Sequence, residues 1–285
     1  MPKDFAAELV ACLGQPVREN PTGVMLEAAF GALGLNWRYL TVEVPPARLR
    51  DAITGVRALG MRGANLTIPH KVAVMEYLDQ VAPDAALVGA VNTVRRDGDR
   101  LIGENTDGKG FLRGLRADAG IDPQGKRAVV LGAGGAARAI VTELALAGAA
   151  DVLVVNRSLE RGEHMAAELA RKTNAPIRFE VWRETYRVPR SADLLVNATS
   201  IGLFPDVTAM PPVDLSDVSA HLLVSDAVPN PPETALLKAA KQLGLAVLDG
   251  LSMLVHQGAI GLRMWTGFDA PEAVMKDALR RAFDL

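Results

Sequence analysis

Two rhythms run along this chain. Short apolar runs read as strands, and they are separated by longer stretches in which apolar residues return every three or four positions, as on one face of a helix. In the first third, strands are expected at residues 9–13, 38–44 and 63–68, and a hairpin of 91–95 and 101–104 turns at Asp97-Gly98. Helices are expected at 23–33, 48–59, 70–78, 84–88 and 106–115, with Pro69 starting the third of these. From residue 128 the pattern becomes regular. Strands at 128–131, 152–155, 177–181, 194–197, 222–225 and 246–248 alternate with helices at 136–147, 159–172 and 233–243, and helices at 253–266 and 271–283 close the chain. Such βα alternation predicts a doubly wound parallel sheet with helices on both faces. The closing helices follow the last strand and are expected to leave that sheet. Two domains are therefore predicted: an α/β domain of residues 1–108 joined by 252–285, and a second domain of 109–251. A cleft between them is the expected place for substrate and cofactor.

The run Ala128-Val129-Val130-Leu131 is apolar throughout, as in a parallel strand buried on both faces. Gly132, Gly134 and Ala137 follow in the spacing G-x-G-x-x-A. Gly132 would bend the chain sharply, Gly134 would let a pyrophosphate approach the backbone, and Ala137 would let the next helix pack closely. The helix would aim its free N–H groups at the phosphates. Strand, turn, helix and second strand in this order make 109–251 a Rossmann-type dinucleotide domain. Its second strand ends in Asn156-Arg157-Ser158, with Arg161 one turn on. An NAD site usually carries an acid there for the ribose 2′-hydroxyl. Two guanidiniums and a hydroxyl suit a 2′-phosphate instead, so NADP is expected in preference to NAD. Ser158 also reads as a helix cap.

Composition narrows the classes of partner. The 285 residues are 49% hydrophobic and 22% charged, an ordinary globular mix. A net charge of −2 argues against nucleic-acid or anionic-membrane partners. No uncharged apolar run approaches the ~18 residues of a membrane span. Asp4 and Glu8 interrupt the leading apolar stretch, unlike a signal peptide, and the single Cys12 suits the cytoplasm. A homodimer stays open.

A nicotinamide enzyme acting on a carbonyl needs a proton donor beside the oxygen. One Cys and four scattered His make a zinc site a poor expectation, so no metal is predicted. None of Tyr39, Tyr77 and Tyr186 has Lys four residues on. His70 or His256 could pair with a carboxylate, but no spacing marks either. Lys71, expected in the first turn of a helix, and Asp107, in Glu104-Asn105-Thr106-Asp107-Gly108, are a candidate pair. On spacing alone, a solvated lysine and a helix-capping aspartate explain them equally well.

Several motifs converge on one family. Ala64-Asn65-Leu66-Thr67-Ile68-Pro69-His70-Lys71, Gly89-Ala90-Val91-Asn92-Thr93 and Asn105-Thr106-Asp107-Gly108 resemble signatures of the shikimate dehydrogenases. The match continues in order through Gly132–Arg138, Asn156-Arg157-Ser158, Asn197-Ala198-Thr199-Ser200 and 250–257. The resemblance implies NADP-linked, reversible oxidation of a ring hydroxyl, as in shikimate to 3-dehydroshikimate. It implies Lys71 as acid/base with Asp107 as its partner, and Thr67, Asn92 and Gln257 as substrate contacts. It places the cofactor on Gly132, Ala133, Gly134, Gly135, Ala136, Asn156, Arg157, Ser158, Arg161, Thr199, Ser200 and Gly250. The chain departs from the family pattern at two places. Asn20 and Thr22 stand where the family carries two serines that bind the substrate carboxylate, and Pro229 stands where it carries a tyrosine. Both departures touch substrate choice rather than hydride chemistry. Quinate or another cyclic hydroxy acid is therefore an alternative substrate, and a non-catalytic NADP- and metabolite-binding sensor is a second alternative.

Overall fold

A computed structural model describes residues 5–285; Asp4 lies outside them. The chain divides into two compact units, one running to Thr106 and completed by Gln257–Leu285, the other Asp107–His256.

The first unit begins β1 (Glu8–Gly14), α1 (Thr22–Ala32), β2 (Trp37–Glu43), α2 (Leu49–Ala58) and β3 (Gly63–Leu66). It continues with β4 (Gln80–Val81), α3 (Pro83–Val88), β5 (Thr93–Asp97) and β6 (Arg100–Glu104). These strands form one mixed sheet in the order β2-β1-β3-β5-β6-β4. β1 runs parallel to both β2 and β3, while β5 pairs antiparallel with β3 and with β6. All four residues of β3 are buried, as a central strand requires. Ala11, Leu13, Ile53, Val56, Ala64, Leu66, Val91, Val94 and Leu101 pack together between the sheet and α2.

The segment after β3 differs from the expected α-helix at 70–78. Residues 68–72 form turns, and only a short 3-10 helix, Ala73–Tyr77, follows. The reason is tertiary. In an α-helix the Lys71 carbonyl would accept from Met75 N. Here it accepts from Val91 N at 2.7 Å, and Met75 N donates to Val72 O at 3.2 Å. Lys71 therefore sits in a turn rather than in the first turn of a helix.

The second unit runs α4 (Asp107–Ala117), β7 (Arg127–Leu131), α5 (Gly135–Leu146), β8 (Asp151–Asn156), α6 (Leu159–Thr173) and β9 (Ile177–Val181). Then come β10 (Tyr186–Arg187), β11 (Leu194–Asn197), β12 (Val213–Asp214), β13 (Leu223–Asp226), α7 (Ala235–Gln242) and β14 (Ala246–Leu248). The main sheet is parallel throughout, in the order β14-β13-β11-β7-β8-β9. β7 lies at its centre, with the order reversing direction there, which is the topological switch point of a doubly wound sheet. Successive residues of the central strands feed opposite cores. Val130, Val152, Val154 and Val196 pack with α4, α5 and α6, whereas Val129, Leu131, Leu153, Val155 and Val224 pack with α7 and Trp182. Each fully buried Val or Leu contributes about 1.5–3 kcal/mol, which explains the unbroken apolar runs 128–131, 152–155 and 194–196 within these strands.

Helix α8 (Gly250–Thr266) starts in the second unit and ends in the first, and α9 (Glu272–Ala282) follows it. In the first unit, a side chain at Gly258 would meet Met25 Cε at 2.3 Å, and Trp265 Nε1 donates to Val94 O at 2.9 Å. In the second, a side chain at Gly250 would come within 2.1 Å of Val228 O. Gly250 is thus a site of close backbone packing.

Candidate active site

Within the first unit, a chain of buried, neutral polar side chains crosses the end of the sheet. It begins at α1. Asn20 Oδ1 accepts from Thr22 N at 3.0 Å, fixing the start of the helix. Thr22 is 3% exposed, and its hydroxyl and the Cys12 thiol both act on the buried Tyr39 phenol. Burial pushes the Tyr39 phenol well above its ordinary value and the Cys12 thiol up to about 12, so both are neutral. Tyr39 Oη donates to Asn65 Oδ1 at 2.7 Å, and Asn65 Nδ2 donates to Thr93 Oγ1 at 3.0 Å and Asn92 O at 3.2 Å. Thr93 and Thr106 hydroxyls lie 3.1 Å apart. Asn92 Oδ1 accepts from Thr106 N at 2.7 Å, and Thr106 Oγ1 donates to Gln257 Oε1 at 3.2 Å. Asn92 Nδ2 completes the set, donating to Thr106 Oγ1 at 2.9 Å and to Gln257 Oε1 at 3.4 Å.

Asn92 and Gln257, singled out from the sequence, are therefore brought together through Thr106. Thr67 and Lys71 lie on the neighbouring turn and are half-buried. That turn is pinned by Thr67 N to Leu13 O at 3.0 Å, Gln15 N to Ile68 O at 2.9 Å and His70 Nε2 to Val44 O at 2.7 Å. His70 is 1% exposed and serves this anchoring contact. Asp107 is the residue after Thr106, is buried, and opens α4 in the second unit. His256 lies 3.1 Å from Asp118, which also accepts from Ser252 Oγ at 2.6 Å, so the histidine braces α8 on the end of α4.

Tyr39, Asn65, Thr93 and Thr106 were not singled out by sequence reasoning. Asn65 had one usable signal: a polar amide in a strand whose neighbours are all buried has to be paired.

In the second unit, Gly132 has φ +112°, and a Cβ there would lie 3.0 Å from Ala198 O. A side chain is excluded by both conformation and space. Gly134 is exposed, caps α5, and has open space where its Cβ would stand. Ala133, Gly135 and Ala136 are only partly covered, while Ala137 is fully buried against the sheet. This is an open cradle of backbone at a helix N-terminus, and it fits a pyrophosphate. Asn156 Nδ2 donates to Ser158 O at 2.9 Å, and Ser158 Oγ accepts from Arg161 N at 3.4 Å, capping α6. Arg157 and Arg161 are exposed on either side of that cap. No acid stands at the end of β8, so the donor set fits a ribose 2′-phosphate. Arg138 pairs with Glu168 at 2.6 Å and Lys172 with the same carboxylate at 2.7 Å. Burial alone would raise the Glu168 carboxyl, but Lys172 and Arg138 hold it down at about 2.

Beside the cradle, Asn197 is wholly buried. Its Oδ1 accepts from Thr199 N and Oγ1 at 3.1 and 2.7 Å, and its Nδ2 donates to Asp226 Oδ1 at 3.0 Å. The Thr199 hydroxyl is thus committed to the loop, while Ser200 is exposed. Asp226 also accepts from Val228 N and Thr234 Oγ1, and burial still pushes its carboxyl up to about 6.

A doubly wound sheet with a phosphate cradle at its switch point, in a chain that also carries a unit rich in buried neutral hydrogen-bonding groups, defines the class of dinucleotide-linked oxidoreductases. The family follows from comparison with known proteins. The chain belongs to the shikimate dehydrogenase family. Residues 12–94 match the shikimate dehydrogenase substrate binding domain, 117–204 the shikimate/quinate 5-dehydrogenase domain, and 250–280 the shikimate 5-dehydrogenase C-terminal domain. It is 47% identical over 280 residues to the shikimate dehydrogenase (NADP(+)) of Symbiobacterium thermophilum, covering 97% of this chain and 95% of that one. A crystal structure of shikimate 5-dehydrogenase from Thermus thermophilus with NADP(H) and shikimate is 39% identical, with TM-score 0.85 and coverage of 96% and 99%. A ligand-free 5-ketofructose reductase from Gluconobacter is 46% identical, with TM-score 0.89 and coverage of 98% and 100%.

Proposed function

We propose that this chain is an NADP-dependent dehydrogenase that interconverts a secondary alcohol and its ketone. Shikimate and 3-dehydroshikimate, or a close analogue, are the substrate pair. The observation that carries this reading is the buried neutral cluster of Asn92, Thr106 and Gln257, which ends one residue before Asp107. Uncharged donors and acceptors held in fixed positions are what recognition of hydroxyl groups requires. The shikimate dehydrogenases and the 5-ketofructose reductase to which the chain is similar share, in their names, this alcohol–carbonyl chemistry.

Gly132–Ala136 would hold the pyrophosphate, and Arg157, Ser158 and Arg161 the 2′-phosphate. Bound NADP(H) supplies the hydride acceptor or donor. Lys71 acts as acid and base at its Nζ: it takes the hydroxyl proton as the alcohol is oxidised and returns it to the carbonyl oxygen in reduction. Asp107 orients that amine. Asn92 and Gln257 hold neighbouring hydroxyls, and Thr67 shapes the floor beside Lys71.

The test is Lys71→Ala. Loss of a general acid/base should lower kcat by about 10²–10⁴-fold while the Kd for NADP, read by nucleotide fluorescence, stays within twofold or so. Undiminished turnover would remove Lys71 from the mechanism. Binding of nucleotide and polyol with no reduction under any condition would favour the sensor reading instead.

A further inference from the structure

We propose that Asp226 is a positioning residue for the nicotinamide end of the cofactor: its carboxylate ties the loop after β11 to the loop after β13 and so holds the wall against which that ring lies. This rests on the dehydrogenase reading above and deepens it.

The topology gives the place. With the pyrophosphate at Gly132–Ala136 and the 2′-phosphate at Arg157, Ser158 and Arg161, the adenosine half of the dinucleotide falls on the β8 side of the switch point. The nicotinamide half then falls on the other side, at the carboxyl ends of β11 and β13. Asn197 and Asp226 are the last residues of these two strands and stand opposite each other in the parallel register.

Three neutral donors converge on the buried Asp226 carboxyl. Asn197 Nδ2 and Val228 N each donate to Oδ1 at 3.0 Å, and Thr234 Oγ1 donates to Oδ2 at 2.8 Å. Asn197 governs the first loop. Its Nδ2 also donates to Ile201 O at 3.2 Å, and Thr199 Oγ1, which donates to Asn197 Oδ1, accepts from Ile201 N at 3.1 Å. The cradle leans on this loop, since Ala198 O lies 3.0 Å from where a Cβ of Gly132 would stand. Val228 N and Thr234 Oγ1 close the second loop on the same carboxyl, and Val228 O packs against Gly250 from behind. The loops meet again farther out, where Phe204 N donates to Asn230 O at 3.0 Å. An ionised carboxylate accepts at both oxygens and satisfies all three donors. An amide presents N–H at one of the two positions and turns a donor away. Burial of the charge is costly, and the three hydrogen bonds that offset it share one effect: residues 197–201 and 226–234 form a single fixed rim beside Gly132.

The experiment compares two ligands on full-length Asp226→Asn at about pH 8, above the value of about 6 to which burial pushes the native carboxyl. NADPH is one. The other is 2′-phospho-ADP-ribose, which keeps the 2′-phosphate and the pyrophosphate but lacks nicotinamide. The Kd for NADPH should rise by about fivefold or more, or kcat with 3-dehydroshikimate fall by about tenfold or more, while the Kd for the fragment stays within about twofold. Equal weakening of both ligands would make Asp226 a general structural residue, and no effect on NADPH would leave it without a role; either result overturns the inference. Thr234→Val withdraws one donor and leaves the charge, so it should show the same selective loss, and Thr234→Ser should restore wild-type values. That pair decides the matter by the same criterion if Asp226→Asn does not fold. Val152→Ala loosens the core at β8, away from both loops, and should leave the ratio of the two Kd values unmoved; a selective loss of NADPH there would equally overturn the inference. A wild-type chain that binds NADPH and reduces nothing fails the dehydrogenase reading, and the two Kd values still decide the role of Asp226. A wild-type chain that does not bind NADPH overturns both.

Discussion

Gly108 offers a quantitative test of how closely stability and the Asp107 assignment are linked. In α4 it faces α5, and an ideal Cβ at this position would lie 2.4 Å from Ala139 O and 2.6 Å from Glu143 Cγ. Glu143 can swing its side chain away, but Ala139 O is helix backbone. To reach the 3.0–3.4 Å of tight real contacts, α4 must move off α5 by about 0.6–1.0 Å. Overpacking of this kind costs about 1–3 kcal/mol, offset by at most about 1 kcal/mol from replacing a helical glycine with alanine. A net loss of about 1–2 kcal/mol is expected for Gly108→Ala, read as a lower urea midpoint at unchanged slope. Asp107 is the preceding residue and moves with the helix. On the orienting role proposed for Asp107, a misplacement near 1 Å costs about 10²-fold in turnover, so kcat should fall by about 10–100-fold. Gly55→Ala is the control: in α2 its Cβ would meet nothing within 4 Å, and a gain of about 0.5–1 kcal/mol is expected. Wild-type stability and turnover in Gly108→Ala would refute the packing argument. A lowered midpoint with full turnover would refute the role of Asp107 alone.

Two further outcomes follow from the second unit. Asp226, 1% exposed, has a carboxyl raised by burial to about 6, against an ordinary value of 3.8. Its folded form holds a proton that the unfolded form has lost, so its contribution to stability is complete below about pH 4, declines between about 4 and 6, and is gone above. The span is on the order of 2–3 kcal/mol. Asp226→Asn should flatten urea-midpoint-versus-pH curves in that window, and an unaltered slope would contradict the assignment. Arg157 is exposed beside the Ser158 cap and would lose its charge-assisted bond to the 2′-phosphate in Arg157→Ala. The ratio of kcat/KM for NADP over NAD should drop by about 10–100-fold, and an unchanged ratio would place the phosphate elsewhere.

What could be read from the sequence depended on how locally each feature is encoded. Residues 128–131 are apolar without a break because both faces of β7 are covered, and the glycine spacing follows at once; strand, turn and helix lie within twenty residues and announce one another. The hairpin at Asp97-Gly98 is local in the same way. The segment after Pro69 shows the limit. A proline followed by amphipathic spacing satisfies every local rule for a helix start, yet a distant partner, Val91 N, takes the carbonyl that the helix needed. β10 and β12 are two residues each and pair only with one another, too short for any periodicity to register. The polar cluster is the extreme case. Asn92 and Gln257 are 165 residues apart and Thr106 and Gln257 are 151 apart, so no spacing rule connects them. What the sequence does carry is the cost of leaving such groups unpaired: an asparagine in the buried strand β3 and two threonines flanking a hairpin are unfavourable unless each finds a partner. Their mutual satisfaction is what allows these groups to stay buried, and it depends on partners brought together by the fold and not by spacing in the chain.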